Sequence, residues 1–261
     1  LFGYTYKEII KDKIKLNYKS KVKITNTKNS ELIQFLGNSL KNYSKLIMKA
    51  KPDIIVLLGD RYEVFCFCIV SFFLNIPIVH IHGGELTLGA FDDGLRHSIT
   101  KLSNFHFVSH FSYKKRVIQL GEHPDRVFNF GAPGLDNIEL LELLDKKALE
   151  ESIGMKLGPR SLLVTWHPVT LEPRRAREGF EALLDVLNGF EDMRILFTKA
   201  NADTEGSAVN QMIDEYVAEH MDSTIAHTSL GQLRYLSALK YVDGVVGNSS
   251  SGIIEAPAMK V

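Results

Sequence analysis

The chain has 261 residues, of which 45% are hydrophobic and 24% charged, as in ordinary folded proteins rather than disordered or coiled-coil chains. Its 31 basic residues balance 31 acidic ones, which argues against binding of nucleic acid through bulk charge. Cys66 and Cys68 are the only cysteines and cannot form a disulfide framework, so the sequence predicts a cytoplasmic protein. No signal peptide is found. The abrupt ends at Leu1 and Val261 predict a chain truncated at both ends.

The segment from Val64 to Ile81 is nearly apolar and is the one candidate for a membrane span. Ser71, Asn75 and Pro77 interrupt it, so a buried helix, a short break and a buried strand explain it better. No membrane partner is therefore expected.

The first half of the chain alternates predicted helices and strands. Apolar residues within 29–51 recur at helical spacing. The run Ile54 to Leu58 is apolar on both faces, which is typical of a parallel-sheet strand covered by helices. The elements predicted next are a helix over 61–74, a strand over 76–81, a helix over 92–102, a strand over 105–108, a helix over 112–120 and a strand over 126–130.

The second half repeats this alternation after a predicted connecting helix over 135–152. The predicted strands cover 161–165, 193–197, 224–226 and 243–246, and the predicted helices cover 175–187, 205–220, 231–239 and 250–258. Two such series predict an α/β protein with two doubly wound Rossmann-like domains, at 1–134 and 153–261. In such folds ligands bind beyond the carboxyl ends of the strands.

The first group of candidate site residues is Gly59-Asp60-Arg61, directly after a predicted buried strand. Asp60 suits a general base and Arg61 suits an anion partner, because the carboxyl end of a parallel strand faces the ligand crevice. As an alternative, Asp60 caps the helix that follows, and the two roles are compatible.

A second group places seven ionisable side chains within 18 residues: His80, His82, Glu85, Asp92, Asp93, Arg96 and His97. The two glycines before Glu85 let the backbone approach a ligand closely. Asp92 and Asp93 lie where a helix begins, so capping explains one of them. Alternation along a strand predicts that His80 and His82 share a face, which leaves open a metal site of His80, His82 and Glu85.

Two further groups lie in the second half. His167, in Trp166-His167-Pro168, follows the first strand there and is either a site residue or a satisfied loop histidine. The run Gly247-Asn248-Ser249-Ser250-Ser251-Gly252 opens a predicted helix, where hydroxyls and backbone N–H groups bind anions. A serine cap is the alternative, but three serines and two glycines exceed what a cap needs, so phosphate binding is favoured. Glu255, one turn on, is placed to accept hydrogen bonds from ribose hydroxyls.

Five of these motifs, in order along essentially the whole chain, resemble the UDP-N-acetylglucosamine 2-epimerases, and more narrowly the hydrolysing branch that feeds sialic acid synthesis. They are Gly59-Asp60-Arg61, His80-Ile-His-Gly-Gly-Glu85, Asp92-Asp93 with Arg96-His97, His167-Pro168 and Gly247-Asn-Ser-Ser-Ser-Gly252. The opening Phe2-Gly-Tyr-Thr-Tyr-Lys-Glu8 also resembles that family. The resemblance implies a glycosyltransferase-B-like pair of Rossmann-like domains with the active site in the interdomain cleft. It also implies no cofactor, no metal and a homo-oligomer, either a homodimer or a homotetramer.

The resemblance also implies roles for single residues. Catalytic residues of the family match Asp60, Asp92 and His167, and its nucleotide contacts match Arg61, Ser249, Ser250 and Glu255. Asp93, Arg96 and Asn248, from the same motifs, are expected to bind the substrate. One departure matters: many relatives have Glu where this chain has His82, so either Glu85 supplies that carboxylate or His82 serves as the base.

The implied chemistry agrees with these residue types. Departure of UDP from C1 makes the proton on C2 easier to remove, so the protein needs cations and N–H groups at the diphosphate and a base near C2. Hydration of the glycal then gives free N-acetylmannosamine and UDP. The same reaction on UDP-2,4-diacetamido-2,4,6-trideoxyglucose, on the route to legionaminic acid, stays open. So do a glycosyltransferase of the same fold, a non-catalytic sugar-nucleotide-binding remnant and a metal hydrolase.

Overall fold

The computed structural model describes residues 9–10, 12–20, 29–87, 92–168, 173–200 and 206–261, and the opening segment that resembles the family lies outside them. The chain divides into two compact units, Lys13–Pro133 and a second unit that contains Gly134–Val261. Each unit has a parallel sheet, as the sequence predicts.

The first unit contains a four-stranded parallel sheet in the order β1-β2-β3-β4. Its elements are α1 (Asn29–Ala50), β1 (Ile55–Leu58), α2 (Tyr62–Phe73), β2 (Ile78–Ile81), α3 (Asp92–Leu102), β3 (Phe105–Val108), α4 (Phe111–Gln119) and β4 (Val127–Asn129). Leu58 at the end of β1 pairs with Ile81 at the end of β2, so the loops after both strands open side by side.

Strand β1 differs from its prediction in one respect. Leu57 is buried with Ile78 and Ile99, but the alternate residues Val56 and Leu58 are 60% and 59% exposed. The physical reason is that β1 lies at the edge of this sheet, and the described residues cover only the face that carries Leu57.

The second unit contains a four-stranded parallel sheet in the order β7-β6-β5-β8. Its elements are α5 (Pro133–Leu140, whose first residue belongs to the first unit), α6 (Lys146–Ile153), β5 (Ser161–Thr165), α7 (Pro173–Asn188), β6 (Arg194–Thr198), α8 (Gly206–Glu219), β7 (Thr224–His227), α9 (Gly231–Leu239), β8 (Gly244–Gly247) and α10 (Glu255–Ala258). Leu163 of β5 packs with α6 and α9, and its neighbour Val164 packs with α7 and α8. Helices therefore cover both faces of this sheet, which confirms the doubly wound pattern.

Two predicted helices are wrong in their extent. The connecting helix over 135–152 is two helices, because Asp145 starts a new one by accepting a hydrogen bond from the Ala148 N–H at 2.8 Å. The second of these, α6, buries Leu149 in the core of the second unit rather than bridging two domains. The helix predicted over 250–258 is a 3-10 turn, Ser250–Gly252, followed by the short α10.

The apolar segment from 64 to 81 forms most of helix α2, a break and strand β2, as predicted. Of the helices that the structure describes, none combines the length and the hydropathy that a membrane span requires.

Candidate active site

Asp60 lies in the loop after β1 and forms an ion pair with the Nη2 group of Arg96 from helix α3. The same Nη2 donates a hydrogen bond to Thr87 Oγ1 at 3.0 Å. Both charged side chains are shielded from water, with 18% of the Asp60 side chain and 8% of the Arg96 side chain exposed. Two other donors of Arg96, Nε and Nη1, are buried without a hydrogen-bond partner among the described residues.

This ion pair argues against the helix-cap interpretation of Asp60. The cap position of α2 is occupied by Arg61, and no side chain makes a capping bond there. The Arg61 guanidinium lies over the Tyr62 ring at 4.8 Å and is 3.8 Å from a carboxylate oxygen of Glu63. Asp60 is thus held as a partly buried side chain beside a cation, at the strand end where ligands bind.

His80 is completely buried and does not share a face with His82, so that prediction is wrong. Its Nδ1 and Nε2 are hydrogen-bonded to Thr100 Oγ1 at 3.0 Å and to the Gly59 carbonyl at 2.9 Å. Burial lowers the pKa of His80 to about 4, so it is a neutral structural residue at pH 7. The alternation fails because β2 ends at Ile81, and His82 turns out of the strand at φ +65°.

The metal site considered for His80, His82 and Glu85 is not formed. Both ring nitrogens of His80 are already engaged inside the unit. Within the described ranges, no group of three or more His, Cys, Asp or Glu side chains is arranged to hold a metal ion.

His82 and Glu85 form a close pair instead. His82 Nδ1 lies 2.6 Å from Glu85 Oε1, and the Ser109 hydroxyl donates to the same oxygen at 2.6 Å. Burial by itself raises the pKa of Glu85, but the hydrogen bonds from His82 and Ser109, with the nearby positive charge of Arg96, hold that pKa below its ordinary value. Glu85 is therefore a carboxylate at neutral pH.

Helix α3 begins with Asp92 and Asp93, and both lie in its first turn as predicted. Asp93 accepts a hydrogen bond from the Thr87 N–H at 3.0 Å, and its other oxygen is 3.7 Å from His97 Nε2. Asp93 therefore ties the loop before α3 to the helix and positions Thr87, which in turn contacts Arg96.

In the second unit the strand order reverses between β5 and β8, which is the switch point where open α/β sheets bind ligands. His167 follows β5, and Asn248 follows β8. The Asn248 side chain accepts from the His167 N–H at 2.7 Å and donates to the His167 carbonyl at 2.6 Å. Asn248 thus fixes the loop that carries His167.

The three serines of the run over 249–251 have different surroundings. Ser249 caps the 3-10 turn by accepting a hydrogen bond from the Ser251 N–H at 3.4 Å. Ser251 is bonded to the Tyr235 hydroxyl at 2.5 Å, and Ser250 is exposed. The cap and an anion site are compatible, because Ser250 remains available to a ligand.

A cavity of about 410 Å³ opens in the second unit, and its lining includes His167, Lys199, Tyr235 and Glu255. Glu255 Oε2 is buried without a hydrogen-bond partner in the described part of the chain, which leaves it an acceptor for a ligand hydroxyl. Lys199 contributes positive charge there, although its Nζ also pairs with Asp214 at 2.5 Å. The cavity is suited to a polar, anionic ligand that carries hydroxyl groups.

Sequence reasoning missed the partners that orient these groups. Ser109, Thr87, Lys199 and Tyr235 are single polar residues in ordinary contexts, and no local pattern marks them. Only Lys199 could have been found from the sequence, because it directly follows strand β6, and ligands bind beyond the carboxyl ends of such strands.

Two α/β units, each with a parallel sheet and polar groups at its strand ends, are typical of the glycosyltransferase-B-like class. A family model described as UDP-N-acetylglucosamine 2-epimerase matches residues 2–261, and the chain belongs to that family.

Individual relatives and a solved structure are consistent with membership of this family. The chain is 41% identical over 99% of its length to a Campylobacter jejuni "GDP/UDP-N,N'-diacetylbacillosamine 2-epimerase (hydrolyzing)", of which it covers 67%. It is 36% identical over its whole length to the Escherichia coli "Polysialic acid biosynthesis protein P7", of which it covers 66%. A solved Neisseria meningitidis UDP-GlcNAc 2-epimerase bound to UDP-GlcNAc shares the fold, with a TM-score of 0.77, 16% identity, and coverage of 94% of this chain and 66% of that one. The chain thus spans about two thirds of the length of these relatives.

Proposed function

We propose that the full-length protein is a hydrolysing UDP-sugar 2-epimerase that acts on a 2-acetamido sugar. The C2 proton leaves to a base, its electron pair forms the C1=C2 bond, and the C1–O bond breaks with UDP as the leaving group. Water then adds its oxygen to C1 and a proton arrives at C2 from the opposite face. The products are the free 2-epimer and UDP.

The observation that carries this proposal is the group of acid–base residues at the ends of β1 and β2, in a chain of this family. Asp60 is ion-paired with Arg96, and His82 is paired with Glu85. Side chains from two neighbouring strand ends suit a reaction that moves one proton away from C2 and another to it. Asp92 completes this group in the first turn of α3.

The second unit supplies the groups for the nucleotide. We assign the diphosphate to Ser249 and Ser250, and the ribose hydroxyls to the unpartnered Oε2 of Glu255. His167 lines the cavity that contains Glu255, where its positioning by Asn248 suits a proton donor to the leaving UDP. Arg61, whose side chain is 35% exposed, is assigned to the phosphates as a cation at the end of β1.

For the sugar we propose the UDP-2,4-diacetamido-2,4,6-trideoxy sugar, because the relative with 41% identity carries a diacetylbacillosamine name. UDP-N-acetylglucosamine, which leads to N-acetylmannosamine and sialic acid, is the second candidate and is favoured by the description of the family model. A comparison of kcat/KM for both UDP-sugars, with the GDP-linked diacetamido sugar as a third substrate, decides between them.

The reaction itself is tested by incubating the full-length protein with each UDP-sugar, without an acceptor, in heavy water or in oxygen-18 water. We expect free UDP and the 2-epimeric sugar in equal amounts, deuterium at C2, and oxygen-18 at C1 rather than in the phosphate. Retention of the original hydrogen at C2 contradicts the elimination mechanism. Release of UDP only when an acceptor is added identifies a glycosyltransferase, and binding without product identifies a non-catalytic binding protein.

A further inference from the structure

We infer that His82 is the base that removes the C2 proton, through Nε2, and that Glu85 and Ser109 are positioning residues that hold its ring. This inference rests on the proposed epimerase function and assigns separate roles in it to His82, Glu85 and Ser109. It selects His82 over Glu85, a choice that the sequence leaves open.

The hydrogen-bond pattern around Glu85 determines which nitrogen of His82 carries the proton. A carboxylate is an acceptor only, so the imidazole nitrogen that bonds to it must be a donor. Nδ1 lies 2.6 Å from Glu85 Oε1, and it therefore carries the hydrogen in the neutral ring. Nε2 then has the lone pair, and it makes no hydrogen bond within the part of the chain that the structure describes. A lone pair on an unengaged nitrogen is the form that a general base requires.

Glu85 is poorly suited to be the base itself. Its Oε1 is occupied by His82 and Ser109, both at 2.6 Å. A carboxylate stabilised by two short hydrogen bonds is a weaker proton acceptor, because protonation would cost those bonds. The same negative charge stabilises the imidazolium that forms when Nε2 takes a proton.

The backbone around the pair is fixed, which gives the ring a defined direction. His82 adopts φ +65°, a left-handed conformation that places its side chain outside the strand alternation, and its N–H donates to the Phe107 carbonyl at 3.0 Å. Gly84 adopts φ +80°, and a Cβ there would lie 2.6 Å from the Tyr113 carbonyl oxygen. Arg116 also donates to the Gly84 carbonyl. A strained residue on a clamped loop is a recurrent feature of functional sites.

The proposed step balances without any further reactant. Nε2 of His82 takes the C2 proton while the C2–H electron pair forms the C1=C2 bond and the C1–O pair leaves with UDP. The imidazolium then releases its proton to solvent. The proton that arrives at the opposite face of C2 also comes from solvent, so in heavy water the product carries deuterium at C2.

The first test reads the tautomer directly and does not depend on activity. Nitrogen-15 spectra of the histidine side chains in the full-length protein, with the His82→Gln variant to assign the signal, should show His82 as the Nδ1–H tautomer. Ser109→Ala and Glu85→Gln should each lower the population of that tautomer. An Nε2–H tautomer in the wild type overturns the inference.

The second test measures turnover. His82→Gln should lower kcat by roughly 10²–10⁴, the usual contribution of a general base. Ser109→Ala should lower kcat by about 5- to 30-fold while KM stays within about twofold, since a misdirected ring affects chemistry more than binding. The matched controls are His123→Gln, at an exposed histidine, and Ser112→Ala, whose hydroxyl contacts only the exposed His110. Both controls should stay within about twofold of the wild type.

The outcomes separate the two proposals. If His82→Gln keeps more than a tenth of the turnover, His82 is not the base, although the epimerase proposal stands. If the wild type releases no 2-epimer, the proposed function fails, and the tautomer spectra still test the pair. Glu85→Gln keeps the shape and an acceptor oxygen of the side chain; if it does not fold, Ser109→Ala tests the same contact.

Discussion

Replacement of Gly247 by Ala is expected to destabilise the second unit strongly. Gly247 adopts φ +145°, and a Cβ there would lie 1.8 Å from the Thr165 carbonyl oxygen and 2.7 Å from its carbon. The obstacle is backbone of the paired strand, so no rotation of a side chain relieves it. A backbone conformation of this kind costs a residue with a side chain about 1–3 kcal/mol. Forcing the strand ends apart costs about 1–3 kcal/mol more.

The free energy of unfolding of this unit should therefore fall by about 2–6 kcal/mol in Gly247→Ala. With a urea dependence of about 1–3 kcal/mol per molar, the unfolding midpoint should fall by roughly 0.7 M or more. Trp166, the single tryptophan of the chain, follows Thr165 and packs near Phe180 at 6.0 Å between ring centroids. Its fluorescence during urea unfolding therefore reports on this unit.

The matched control is Gly252→Ala, where no atom lies within 4 Å of an added Cβ and φ is not positive. Its stability should stay within about 0.5 kcal/mol of the wild type. A Gly247→Ala midpoint within about 0.3 M of the wild type would refute the clash argument, given the same urea dependence. If the argument holds, the variant should also bind UDP more weakly, because Asn248 and its bonds to the His167 loop move with residue 247.

Three further predictions follow from the sites. Asp60→Asn should abolish turnover, measured by UDP release, while UDP affinity from calorimetry stays within about tenfold, or 1.4 kcal/mol; turnover of a tenth or more contradicts a catalytic role. Replacement of Ser249 and Ser250 together by Ala should weaken UDP binding more than uridine binding, because the serines are assigned to the diphosphate; equal losses in calorimetry contradict that assignment. Burial raises the pKa of Cys66 to about 11 and that of Cys68 to about 12, so both thiols should resist a thiol reagent at pH 8 and react only after unfolding; rapid labelling of the native protein contradicts their burial.

Much of the fold follows from sequence pattern alone. In Ser161–Thr165 the three central residues are apolar at consecutive positions, a pattern typical of a parallel-sheet strand covered by helices on both faces. Because the strands are parallel, their carboxyl ends share one edge of each sheet. The polar groups after β1, β2, β5 and β8 could therefore be assigned to sites before any contact was known.

The errors arose where a local pattern is decided by a tertiary contact. The strand alternation that grouped His80 with His82 ends at Ile81, where a left-handed backbone turns His82 away. The predicted helix over 135–152 breaks before Asp145, where the Leu144 N–H donates to Ser237 Oγ at 3.0 Å, a residue far along the chain. Asp145 is a local sign of the break, because it caps the new helix, but the contact with Ser237 is visible only in the tertiary structure.

The sequence by itself determined the residue types and the strand ends at which they lie, because hydrophobic periodicity and the succession of helices and strands along the chain are local properties. The tertiary structure alone decided the partners. Asp60 meets Arg96, 36 positions later, and Glu85 meets Ser109, 24 positions later. Such pairs depend on which helix or strand packs beside which loop, and they fix the charge, the tautomer and the direction of each group.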